Sequence, residues 1–151
     1  MKKMLCIGMI LSLLLCISGC GGEKDFASAK ISAQEYLNTN VDQLEHIALQ
    51  ELQAGKASAV SIKGVSSVLV SEDMVIFEIG SQGMLGGQYW SLVYTKDGSY
   101  HGEKEQYIYR EETGNNVTVA HHLLGNWFFL WTDYDGREDL TNRYIQETAA
   151  S

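Results

Sequence analysis

The sequence predicts an α+β domain in which an N-terminal amphipathic helix, or a helix pair, packs on an antiparallel sheet of about five to seven strands. Three observations predict it. Apolar residues recur at the helical period over residues 26–54, the period switches to two from Ala57 onward, and turn residues divide the second stretch at short intervals. A helix followed by successive hairpins gives a sheet one helical cover, and each element needs the other to bury its apolar side.

In the first element, Leu37, Val41, Leu44, Ala48 and Leu52 fall on one stripe, with Tyr36 and Ile47 alongside. Glu35, Asp42, Glu45 and Glu51 are expected on the other faces. Gly55 reads as the C-terminal cap, with Lys56 beyond it. Asn38-Thr39-Asn40 is poor helix-forming sequence, and Asn40 with Gln43 has capping-box spacing, so two helices meeting near residue 39 compete with one long helix.

The strands are expected at 59–63, 66–71, 74–80, 89–95, 106–111, 117–123 and 127–132. Glu72-Asp73, the glycines at 83, 86 and 87, Asp97-Gly98, Gly114-Asn115-Asn116 and Gly125-Asn126 mark the turns between them. Gly125-Asn126 has the length of a two-residue hairpin, which makes the last two strands antiparallel neighbours. On the last strand Trp127, Phe129 and Trp131 point one way while Phe128 and Leu130 point the other, so both its faces are apolar. A short polar helix over 138–147 is expected to end the chain.

Composition limits the function classes. The chain has 151 residues, 45% of them apolar, 15 aromatics, and a net charge of −8. That is one-domain length with enough apolar surface to fold. The acidic balance excludes a nucleic-acid partner, which requires clustered Lys and Arg to displace counterions.

The first twenty residues carry the most specific signal. Lys2 and Lys3 precede an apolar run from Leu5 to Ile17 of about 13 residues, short of the roughly 20 that span a bilayer. It ends Ile17-Ser18-Gly19-Cys20. This resembles the signal peptide and lipobox of bacterial lipoproteins, with isoleucine in place of the more usual leucine. The resemblance implies cleavage between Gly19 and Cys20 and a lipid thioether on Cys20, because only a thiol can accept the diacylglyceryl group that way. The expected layout is therefore a signal peptide at 1–19, a lipidated tether at 20–25 and a single domain at 26–151, held at the outer, extracytoplasmic face of the cell membrane. Of the three cysteines, Cys6 and Cys16 leave with the signal, so the domain has no disulfide and no thiolate chemistry. Of 11 basic residues two leave as well, and 9 against 19 acidic residues give the mature chain a net charge of −10. Anionic headgroups repel that charge, which leaves the lipid as the anchor.

No catalytic residue, metal site or cofactor is assigned. His121 and His122 are strand neighbours facing opposite ways, and no ligand spacing joins them to His46 or His101. The Asp133–Asp139 run is acidic, but Arg137 and Glu138 break calcium-loop spacing, so it reads as a turn. The glycines at 80, 83, 86 and 87 lead into a strand and not a helix, unlike a phosphate cradle. Asn116-Val117-Thr118 matches a glycan acceptor without bacterial relevance, and no Gly-x-Ser-x-Gly elbow exists.

The aromatics of the sheet half include three tryptophans and several tyrosines, residues with an apolar body and a polar tip that suit recognition surfaces. Trp90, Tyr94, Trp127 and Trp131 are the candidate binding surface. The runs Val75–Gly83, Tyr89–Tyr94 and Leu124-Gly125-Asn126-Trp127-Phe128-Phe129 are similar to a group of small uncharacterised helix-plus-sheet proteins of low-GC Gram-positive bacteria, which implies a fold class and no activity. The expected function is a non-enzymatic, membrane-anchored accessory module that binds a protein or an envelope polymer. One alternative is a small enzyme of cystatin-like or nuclear-transport-factor-like architecture, with His121 or His122 paired to Glu78 in a conical pocket. Another is a protective lipoprotein that masks a basic toxin or enzyme.

Overall fold

The structure is a computed structural model that describes residues 24–58, 61–83, 87–112 and 116–134. One helix, α1 (Phe26–Ala54), precedes six strands: β1 (Ser67–Val70), β2 (Met74–Gln82), β3 (Gln88–Thr95), β4 (Gln106–Arg110), β5 (Val117–Leu124) and β6 (Trp127–Asp133). The fold is α+β, with the helix packed on a six-stranded antiparallel sheet.

Helix α1 begins at Asp25, whose carboxylate accepts the Ser28 N–H at 2.7 Å. It ends at Gly55, which takes φ +66° and donates its N–H to the Glu51 carbonyl. The helix does not break at residue 39. Thr39 Oγ1 donates to the Glu35 carbonyl and Asn40 Nδ2 to the Tyr36 carbonyl, so both polar side chains bond back within the preceding turn and leave the ladder intact. The buried stripe runs Phe26, Ala29, Ala33, Leu37, Leu44, Ile47 and Ala48, and the small alanines near its start let the helix approach the sheet closely. Glu51, expected on an outer face, is buried instead. Its carboxylate accepts both the N–H and the hydroxyl of Ser58, which holds the chain folded back after the helix.

The sheet order is β1-β2-β3-β6-β5-β4. Two three-stranded meanders are thus joined along the β3–β6 seam. Six of the seven expected strands are present. The stretch 61–63 is not a strand: Ile62 plugs the core and accepts the Val65 N–H through its carbonyl, in a turn carried by Gly64 at φ +85°. The expected helix at 138–147 lies outside the described residues. Gly125 and Asn126 form the anticipated two-residue loop, with positive φ at Gly125.

Strand β6 is buried on both faces, as its alternation requires. Trp127, Phe129 and Trp131 lie beneath α1 with Phe26, Leu37, Leu44 and Phe77. Phe128 and Leu130 join Val93, Ala120 and Tyr100 on the opposite face. The segment between β3 and β4 provides that second cover: Tyr100 sits with its ring 6.1 Å from Phe128 and 5.4 Å from Tyr107.

Candidate functional site

The four aromatics expected at a binding surface lie in the core. Trp90 and Tyr94 are 8% and 5% exposed, and Trp127 and Trp131 are 1% and 0%. All four project from β3 and β6 toward α1, where Trp90 stacks on Trp131 at 5.7 Å and Tyr94 meets Trp127 edge-on at 5.1 Å. The physical reason is register. Trp90 pairs with Trp131 and Tyr94 with Trp127 across the central seam, which is the part of the sheet that the helix covers. They are structural residues, and the recognition reading of them is corrected. The indole Nε1 atoms of Trp127 and Trp131 are buried with no hydrogen-bond partner among the described residues.

A row of polar side chains occupies the end of the sheet where β2 finishes and β3 begins. Gln88, 1% exposed, donates from Nε2 to Oδ2 of the equally buried Asp133 at 3.2 Å. Gln82 donates to Oε1 of Gln88 at 2.6 Å. The same Gln82 amide then grips the main chain of Lys24 at two points: its Oε1 accepts the Lys24 N–H at 2.7 Å, and its Nε2 donates to the Lys24 carbonyl at 2.5 Å. Lys24 Nζ reaches Ser32 Oγ at 3.2 Å and lies 5.8 Å from the centre of the Trp90 ring, a cation–π distance. The residue just before the helix is thus fixed to the sheet by a chain of amides rooted in a buried carboxylate. Beside it Tyr134 is 55% exposed, donates its N–H to the Gly87 carbonyl, and packs edge-on against Tyr89 at 5.9 Å. Sequence periodicity carries no signal for this network, because its members are distant in the chain and are neither charged pairs nor a motif.

The histidines separate as the strand pattern implies. His121 faces α1 and takes the Lys30 ammonium at 2.9 Å on Nδ1. The same Nδ1 lies 3.3 Å from the His122 carbonyl oxygen. Burial first, then the Lys30 charge, lowers the pKa of His121, and burial lowers that of Lys30. A surface recess of about 320 Å³ adjoins the pair, lined by Ala27, Lys30, Ile31 and Gln34. Gln106, opposite His121 in register, has a buried Nε2 without a partner among the described residues. His122 points to the other face, against Phe128 and near the Gly125 carbonyl.

Glu78 does not join either histidine. It accepts from Ser67 Oγ at 3.0 Å on the face away from α1, so His121 lies across the sheet from it. His122 shares its face, but β3 and β6 stand between, placing it about 14 Å away at three strand spacings. No group of three or more His, Cys, Asp or Glu side chains suited to a metal exists among the described residues. No described helix is long and apolar enough to cross a membrane. Gly19 and Cys20, the expected cleavage and lipidation residues, and most of the Asp133–Asp139 run lie outside the described residues. No family model, curated protein or solved structure matches the chain.

Proposed function

We propose that this chain is a lipoprotein, anchored through Cys20 to the outer face of the cell membrane, that works as a non-enzymatic accessory module binding a protein or an envelope polymer. The observation that carries the reading is the succession of residues at the N-terminus: basic residues, an apolar run of about 13 residues too short to span, and Ile17-Ser18-Gly19-Cys20. The open sheet supports a protein partner. Among the described residues β1 and β4 each pair on one side only, and they carry Leu69 at 60% exposure, Ile108 at 40% and Tyr109 at 50%. An edge strand with free backbone groups and exposed apolar side chains accepts an extended segment of another protein. The acidic mature charge favours a basic partner surface.

Growth with labelled palmitate tests the anchor. The wild-type chain takes the label and partitions into detergent, and Cys20→Ser abolishes both; an unlabelled wild-type product overturns the reading. Affinity capture with the lipidated chain tests the module, comparing wild type with Ile108→Asp. A partner retained equally by both excludes the β4 edge as its site.

A further inference from the structure

The grip of Gln82 on Lys24 has a consequence for how the domain meets a bilayer. We propose that the domain stands on the membrane end-on, with the end of the sheet formed by the β2 C-terminus, the β3 N-terminus and the β6 C-terminus turned toward the lipid headgroups. The proposal rests on lipidation of Cys20.

An anchored domain on a free tether samples all orientations, whereas this tether stops at a fixed point. Only four residue steps separate Cys20 from Lys24, at most about 14 Å of chain. Lys24 is held at its N–H and its carbonyl by Gln82, and Gln82 is braced through Gln88 to Asp133. The adjoining Asp25 caps α1, so the chain runs from the grip directly into the helix. The lipid attachment point therefore lies within about 14 Å of this end of the sheet, while the opposite end of β2 is about 26 Å further along the strand. A rigid body tied so closely at one end keeps that end at the surface, and its other end stays away from the lipid as long as the sheet stands upright and does not lie flat.

The same end carries the side chains that a headgroup region accepts. Tyr134 is exposed and packed on Tyr89, and tyrosine places its ring among headgroups with its hydroxyl in water. On the α1 face of the same end, Lys24 supplies an ammonium near the Trp90 ring. The bilayer is the occupant because the tether is too short for this end to face anything else.

The test uses the lipidated full chain reconstituted in phosphatidylethanolamine–phosphatidylglycerol vesicles. The diacylglyceryl thioether blocks the Cys20 sulfur, so a single cysteine takes a fluorophore, at Ser81→Cys near the grip or at Glu72→Cys at the far end of the same hairpin. Both positions are exposed. A headgroup-linked quencher should quench the label at 81 at least threefold more than the label at 72. In a Gln82→Ala background, with melting checked to confirm folding, the contrast should shrink toward equality. Equal quenching in the parent, stronger quenching at 72, or an undiminished contrast in Gln82→Ala overturns the proposal. A chain that fails to float with vesicles and keeps a reactive Cys20 thiol overturns the anchor reading instead, and the orientation falls with it.

Discussion

Gly80 lies under the Trp90 indole, and alanine there should destabilise the domain for a purely steric reason. Strand β2 carries a bulge between Glu78 and Gly80, after which Gly80 pairs with Trp90. A Cβ added at Gly80 would fall less than 3.0 Å from three atoms of the indole, where ordinary contact begins near 3.4 Å. The backbone needs no left-handed conformation at this residue, so an alanine fits it and only the space is lacking. The ring would have to retreat by about an ångström, but Trp131, 0% exposed, stacks on it at an interplanar angle of 12°. Overpacking a filled core costs about 1–3 kcal/mol, against a gain of about 0.4–1 kcal/mol from a stiffer unfolded chain. The net is a loss of roughly 1 kcal/mol, or a fall in Tm of roughly 3–5 °C for a domain of this size.

Thermal and urea unfolding followed by circular dichroism would measure it, with near-ultraviolet signals reporting the displaced indole. A double-mutant cycle with Trp90→Val separates the clash from other effects. Trp90→Val alone is destabilising because it opens a cavity, but in its presence Gly80→Ala should cost nearly nothing, a coupling of at least about 1 kcal/mol. A Gly80→Ala protein that melts at or above the parent temperature, or additive single effects, would refute the packing of Trp90 over β2.

Gly55 offers the opposite case: its φ of +66° is strained for alanine while nothing crowds its Cβ position, so Gly55→Ala should cost about 1 kcal/mol and Gly55→Asn less, read by the same melts. Gln88→Leu breaks the amide chain between Gln82 and buried Asp133 and should lower stability by about 1–3 kcal/mol in urea unfolding, while Gln82→Ala, nearer the surface, should cost less. His121 resists protonation when folded and ordinarily titrates near 6.5 when unfolded, so its contribution to stability is present above that pH and is lost as pH falls through it. Lys30, Glu105 and His122 are the titratable groups acting on the ring. Lys30→Met should therefore raise the His121 pKa in an NMR titration of the ring proton and flatten the loss of stability as pH falls below about 6.5; an unmoved His121 would deny the contact.

The helix and sheet were legible because each leaves a period. The stripe through Leu37, Leu44 and Ala48, the alternation of Trp127 through Trp131, and the Gly125-Asn126 loop each translate directly into one element. The open or mistaken expectations came where local chemistry had two outcomes. Thr39 and Asn40 can end a helix or bond back into it, and here the preceding carbonyls take both donors. Residues 61–63 alternate like a strand, yet Ile62 is used once as a plug and the chain turns at Gly64. Glu51 scores as polar surface until Ser58 returns to satisfy it.

The tryptophans show why surface and core are hard to separate in a small sheet. Composition says only that a residue has an apolar body and a polar tip, and both a recognition face and a packed seam can use it. Register decides between them. Because β3 and β6 meet at the sheet centre, the pairs Trp90–Trp131 and Tyr94–Trp127 fall under the helix, while Leu69 on β1 and Ile108 and Tyr109 on β4 stay exposed. The same central seam places Gln88 opposite Asp133. From there the amide chain runs out through Gln82 to Lys24, so the pairing that buries the aromatics also sets where the chain ahead of α1 is gripped. The core and the grip on Lys24 are consequently coupled, and a substitution that shifts the β3–β6 register should loosen that grip even though it lies far from the N-terminus in sequence.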